Sequence, residues 1–134
     1  MLSPGRVRPF QQLPFSTAEC DTGPIVEYWP GQINLRYDAE GENGVVWTAL
    51  RFVRALAVRF TPDPACEAWM VDAYSEVGEV EDSTWLSALR DTAAGRGISL
   101  SDGARHFVIY FDHVGCWEFI ADEIQMQLLQ HVEC

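Results

Sequence analysis

The chain has 134 residues, 48% of them hydrophobic and 22% charged, with 20 acidic against 9 basic side chains and a net charge of −11. A chain of this length can bury one substantial core, and its 5 Trp, 4 Tyr and 7 Phe can fill that core without disulfide staples. The charge works against nucleic acid, whose binding depends on neutralising phosphates with Lys and Arg, and against an anionic membrane surface; it favours a basic protein partner.

Residues 1–23 are rich in Pro, Gly, Ser and Thr and lack periodicity, so a loosely ordered N-terminal arm is expected ahead of a single α+β domain over 24–134. Prolines at 4, 9 and 14 interrupt any apolar run, so no secretory signal is visible. No segment approaches the ~20 apolar residues of a spanning helix. A cytoplasmic location follows as the expectation, with Cys20, Cys66, Cys116 and Cys134 reduced, although a disulfide stays open because sequence cannot pair them.

Alternation through Ile25, Glu27 and Trp29 predicts a strand, Pro30-Gly31 a turn, and Ile33, Leu35 and Tyr37 a second strand. The polar run 40–44 marks the next turn. Residues 45–61 fit period two through Leu50, Phe52, Leu56, Val58 and Phe60, while Val46, Leu50, Val53 and Ala57 also offer helical spacing. Strand is preferred, because β-branched and aromatic residues dominate and no N-cap begins a helix. Arg54 breaks the alternation, which predicts a bulge or turn at 53–55.

Residues 65–74 could form a short helix, and Val77–Glu81 reads as a strand. Asp82 or Ser83 then caps a helix over 84–94, with Trp85, Leu86, Leu89 and Ala93 as its apolar stripe and Gly95 and Gly97 as its stop. Residues 105–111 and 116–124 form a hairpin around Asp112-His113-Val114-Gly115. A four-residue loop sets Phe111 opposite Cys116, Tyr110 opposite Trp117 and Arg105 opposite Asp122. It groups Glu118 with Phe107 and Ile109. Both hairpin faces are apolar, so a central position covered on both sides is expected, with the 84–94 helix over one of them. Residues 124–134 read equally as strand or short helix. The fold expected is mainly an antiparallel β-sheet meander with one clear helix packed on it.

Templates for catalysis are missing: there is no G-x-S-x-G, no H-E-x-x-H and, without Lys, no phosphate-cradling P-loop. His106 and His113 would stand over roughly 15 Å apart on an extended strand, too far for one metal. The thiol of Cys116 could pair with His113, but no orienting third group follows, and it reads as a small buried thiol. The acidic run from Asp38 fails as a calcium loop, since its twelfth position is Ala49. Paired carboxylates of a glycosidase kind carry no specificity in a chain with 20 acids. No catalytic residue, metal ligand or cofactor is therefore assigned. Glu118 reads as the partner of an Arg on the 51–59 strand or, alternatively, as a tuned carboxylate in a pocket.

Between Pro62 and Asp82 the chain has seven acids and no Arg, with aromatic residues interleaved. Asp63, Glu67, Trp69, Asp72, Tyr74, Glu76, Glu79, Glu81 and Asp82 are the candidate partner-binding residues. An acidic rim around aromatic anchors suits a basic surface. The alternative is a solvated loop and edge strand whose charges prevent aggregation.

Asp82-Ser83-x-Trp85-Leu86-x-x-Leu89, followed by Arg105-His106-Phe107-x-Ile109-Tyr110-Phe111-Asp112-x-x-Gly115-Cys116-Trp117-Glu118-Phe119-Ile120-Ala121, resembles a pattern in small bacterial domains mostly of unknown function. Some of these resemble immunity proteins of polymorphic toxin systems. Tyr37-Asp38 and Trp47-x-x-Leu50-x-Phe52 fit the same layout, so the resemblance spans about residues 33–123. It implies an α+β sheet domain that neutralises a toxin by binding it, and it carries over no catalytic residues. The expectation is thus an immunity-type protein that blocks a basic partner; the alternative is a small-ligand-binding or enzymatic domain with a pocket between sheet and helix.

Overall fold

A computed structural model describes residues 6–14, 17, 23–41, 44–73 and 75–129. The strands are β1 (Arg6–Gln12), β2 (Ile25–Trp29), β3 (Gln32–Gly41), β4 (Gly44–Val53), β5 (Ala57–Pro62), β6 (Glu76–Glu81), β7 (Arg105–Phe111), β8 (Gly115–Ala121) and β9 (Glu123–Leu129). Helix α1 (Ala68–Val71) follows a 3-10 turn at Asp63–Ala65, and α2 (Thr84–Ala94) follows β6. The short helix expected within 65–74 and the main helix over 84–94 are both present. The undecided segment 124–134 is strand as far as Leu129; residues 130–134 lie outside the described residues.

The strands form two antiparallel sheets, ordered β1-β6-β7-β8-β5 and β2-β3-β4-β9, rather than the single meander expected. The reason is a corner. Strand β4 runs into β5 and β8 runs into β9, while β4 pairs with β9 and β5 with β8. This makes one long ribbon folded across its middle. Arg54 takes φ 53° at the fold, the break anticipated at 53–55. Its Nε donates to Asp122 Oδ2 at 2.6 Å, and Asp122 N–H donates to Val53 O at 3.0 Å. Bends of this kind let strands change sheets. A period-two pattern reports the faces of a strand, not the sheet it joins.

Strand β1 corrects the loose-arm expectation for residues 6–12. It pairs along β6 from Arg6 opposite Glu81 to Gln12 opposite Glu76, with a register shift between Pro9 and Gln11. Pro9 has no N–H to donate, which confines it to an edge strand or bulge; β1 is an edge strand. Its composition looked like linker because edge strands tolerate the residues that linkers use. Residues 1–5, 15, 16 and 18–22 lie outside the described residues.

The β7–β8 register differs from expectation by one residue. Phe111 pairs with Gly115, Tyr110 with Cys116, Ile109 with Trp117, Val108 with Glu118, and Arg105 with Ala121 rather than Asp122. Gly115 therefore belongs to the strand and the loop has three residues. It sits at φ 144°, and a Cβ there would come 2.2 Å from Thr61 O on β5. A one-residue slip moves every side chain of a strand to the other face. Glu118 accordingly leaves the face of Phe107 and Ile109 and joins that of His106, Val108 and Tyr110.

The inner face carries Phe107, Ile109, Phe111 and Phe119 against Ile33, Leu35, Tyr37, Leu50 and Phe52 of the second sheet. Phe52 stacks on Phe119 with ring centroids 3.8 Å apart. The outer face is covered by α1 and α2. Helix α2 begins where Ser83 Oγ accepts from Leu86 N–H at 3.0 Å. It ends where Gly97, at φ 74°, lets Ile98 N–H reach Ala93 O at 2.8 Å, a left-handed glycine stop. Its predicted stripe of Trp85, Leu86, Leu89 and Ala93 is half-buried.

Candidate functional site

The corrected register assembles a polar chain under α2. Arg59 on β5 stands opposite Glu118 on β8. Its Nε donates to Glu118 Oε2 at 2.8 Å and its Nη2 to Oε1 at 2.9 Å. His106 Nε2 lies 2.7 Å from the same Oε1, and His106 Nδ1 lies 2.6 Å from Ser83 Oγ. Glu118 is fully buried and His106 is 1% exposed. Burial on its own would raise the Glu118 carboxyl; the hydrogen bonds from His106 and Arg59, and their charges, outweigh it and hold the pKa below the ordinary value. Trp85 closes the assembly, with the Arg59 guanidinium 4.0 Å from its ring centroid and the His106 ring edge-on at 5.1 Å. The salt bridge expected between Glu118 and an Arg of the 51–59 strand is therefore present.

Hydroxyl, imidazole and carboxylate in line also describe an acyl-transfer triad. Here each member is occupied structurally. Ser83 Oγ caps α2, both ring nitrogens of His106 are engaged, and Glu118 is neutralised by a bidentate Arg. The chain fastens the start of α2 to the sheet. A groove of about 840 Å³ opens beside it, lined among others by Val80, Ser83, Thr84, Leu86, Ala104 and His106. Glu118 and Tyr110 do not line it.

The eight described candidate partner-binding residues fall toward opposite ends of β6, which rises roughly 17 Å from Glu76 to Glu81 at ~3.3 Å per residue. At the Glu81 end, arginines from neighbouring strands answer the acids. Glu79 Oε1 is 2.8 Å from Arg8 Nη2 and 3.6 Å from Arg105 Nη1. Glu81 is 3.6 Å from Arg6 Nε. Asp82 is exposed in the turn, at φ 54°. β6 is also an inner strand, so the edge-strand explanation for its charges does not apply.

At the other end the acids collect around the end of β7. Asp63 N–H donates to Val114 O at 3.1 Å, and Tyr110 N–H donates to Ala73 O at 2.8 Å, which brings the 3-10 turn and α1 to the β7–β8 loop. The Tyr110 hydroxyl donates to Asp63 Oδ1, and Trp69 Nε1 donates to Glu67 Oε2. The Asp63 hydrogen bond, then burial, then the charges of Asp63 and Asp112 hold the Tyr110 hydroxyl well above the ordinary phenol value. Asp72 is exposed and Glu76 half-buried. Among the described residues, no ion pair joins an arginine to Asp63, Glu67, Asp72, Glu76 or Asp112. Asp112 was not among the sequence candidates, because it arrives from the hairpin turn, far along the chain.

The aromatic anchors expected between these acids are placed otherwise. Trp69 is half-buried against the cluster of Met70, Ala73 and Tyr110. Tyr74 lies outside the described residues. Exposed large apolar residues at this end are Val71 and Phe60, each 40% exposed, with Phe60 on β5 next to Gly115, while the more exposed Tyr28 and Trp29 sit at the β2–β3 turn.

Among the described residues, no three His, Cys, Asp or Glu side chains converge closely enough to hold a metal ion. No helix among them is long and apolar enough to cross a membrane. Comparison of the chain with protein-family models, curated proteins and solved structures finds no match.

Proposed function

We propose that the protein is an immunity-type binding protein that blocks a basic partner, such as a toxin domain, through the acidic end around Asp63, Glu67, Asp72, Glu76 and Asp112. The observation that carries this reading is a grouping of charge: five acids without an arginine partner among the described residues gather at this end, while Glu79, Glu81, Glu118, Asp122 and Glu27 each have one and other such acids, Asp82, Asp91, Asp102 and Glu123, lie elsewhere along the chain. A net charge of −11 adds a long-range field of the same sign. Asp63 and Glu67 are held by Tyr110 and Trp69, which lowers the ordering cost of binding. The resemblance of residues 33–123 to domains that resemble immunity proteins points the same way.

The test is co-expression with a toxin encoded beside the gene, followed by association kinetics at several salt concentrations. Reversing Asp72, Glu76 and Asp112 to Lys should slow association by about tenfold or more and flatten its salt dependence. Neutralising Glu79 and Glu81 to Gln should leave the rate within about twofold, as expected of acids already paired. Normal association of the triple reversal, or absence of any complex with the cognate toxin, overturns the reading.

The groove beside α2 favours a second reading, a small-ligand or enzymatic domain. Thermal-shift screening separates the two: a ligand whose effect is abolished by Ser87→Trp, at the groove wall, would favour it.

A further inference from the structure

Two thiols meet on the outer face of the five-stranded sheet, beyond the α2 network. Cys116 is fully buried with Met70, Ala73, Val80, Val108 and Tyr110, and half-buried Cys66 packs against that cluster. Cys66 follows the 3-10 turn, its N–H donating to Asp63 O at 3.1 Å. Its Sγ donates to Thr61 O at 3.4 Å. Thr61 is the cross-strand partner of Cys116, and paired Cα atoms on antiparallel strands stand ~4.5–5.5 Å apart. Both sulfurs are therefore confined to one small volume between β5, β8 and the turn.

The geometry points to Cys66 and Cys116 as an oxidative cross-link site, at which a hydroperoxide converts the two thiols to an intramolecular disulfide. Cys66, the more exposed, gives up its proton and attacks the peroxide; an S–O bond forms, the O–O bond breaks, and the departing hydroxide takes the proton as water. The Cys116 sulfur then attacks the sulfenic sulfur. The S–S bond forms, the S–O bond breaks, and a second water carries away the Cys116 proton. Two electrons pass from the thiols to hydrogen peroxide, which is reduced to two waters. Burial first raises both thiols above the ordinary value. For Cys66 the N–H of Cys116 acts against that rise, and for Cys116 the charges of Glu118 and Cys66 add to it. The thiolate is scarce at neutral pH, so the reaction accelerates with rising pH.

The cross-link ties the segment carrying Asp63 and Glu67 to β8. Only this consequence, the fixing of one part of the acidic end, rests on the reading proposed above. The chemistry stands apart from it, and a failed toxin assay leaves it untouched.

The experiment uses the full chain as C20S/C134S, folded, exposed to hydrogen peroxide, quenched, unfolded and treated with N-ethylmaleimide. Intact mass should show a product two hydrogens lighter that takes up no maleimide. Peptide mapping should join Cys66 to Cys116, dithiothreitol should restore both thiols, and formation should be faster at about pH 9 than at about pH 7. If the double variant does not fold, mapping of the oxidised unsubstituted chain gives the same readout. A chain that still accepts two maleimides after prolonged exposure overturns the inference. So does one in which Cys66 carries two or three oxygens while Cys116 remains a free thiol.

Discussion

Substituting Arg59 by Ala leaves Glu118 fully buried, with His106 as its remaining hydrogen-bond partner among the described residues. Removing one partner of a buried ion pair typically costs ~3–5 kcal/mol. The Arg59 side chain is 42% exposed, so water already screens part of its attraction. Loss of the guanidinium face over Trp85 adds ~0.5–1 kcal/mol. The expected destabilisation is about 2–4 kcal/mol at neutral pH, a fall of very roughly 10 °C in Tm for a chain of this size. The pH dependence identifies the cause. In the parent protein the folded Glu118 pKa lies below its ordinary value of 4.5. Its contribution to stability is therefore complete above that value and is lost as pH falls through the lower folded value. Without Arg59, burial is opposed only by His106 and the folded pKa rises. With that folded value above 4.5, the variant gains stability as pH falls toward 4.5, the parent loses stability as pH falls below 4.5, and the gap between the two proteins narrows across both ranges. Urea unfolding followed by tryptophan fluorescence over these ranges measures the gap. Destabilisation under about 1 kcal/mol at pH 7, or a gap that is flat with pH, would refute the account of Glu118 as a buried charge held ionised by Arg59.

Ser83→Ala removes both the helix cap and the hydroxyl facing His106, and should cost about 1–3 kcal/mol by urea unfolding; Ser83→Thr should restore much of the loss, and an Ala variant as stable as the parent would show that the cap is idle. Gly115→Ala meets Thr61 O at 2.2 Å in a conformation that side chains rarely adopt, so a loss of about 3 kcal/mol or more is expected, visible as a lower Tm, whereas Gly95→Ala, with only ordinary contacts around its Cβ, should lie within about 1 kcal/mol of the parent.

What the sequence made legible was local. The β2, β3 and β7 strands, the cap, stripe and stop of α2, the break at Arg54 and the Arg partner of Glu118 all rest on residues whose neighbours in space are neighbours in sequence, or on a cost that any fold must meet. The β7–β8 register was not of this kind. Cys116, Phe119, Ile120 and Ala121 are buried irrespective of the face they occupy, so alternation along β8 carried no inside–outside signal. The loop length depended on Gly115 lying close against β5, a contact made by a distant segment. The one informative residue was Glu118, whose need for a cation marked the face shared with Arg59. The two-sheet corner was hidden for a similar reason, since the bend at Arg54 shows where a strand turns but not which sheet it enters.

The acidic window between Pro62 and Asp82 misled in the opposite direction, by making one patch of what β6 spreads over two ends of a sheet. Charge counted along the chain omits arginines supplied by other strands, and here β1 and β7 deliver Arg6, Arg8 and Arg105 to one end only. The distinction matters at the distances over which partners are drawn together. A carboxylate paired with a guanidinium presents a dipole, whose potential falls faster with distance than that of a single charge. With a screening length of about 8 Å in physiological salt, little of that dipole field survives to reach an approaching protein. Five acids at the Asp112 end that have no arginine partner among the described residues add as charges of one sign. Their number, rather than the larger count in the sequence window, sets how steeply association with a basic partner should depend on salt.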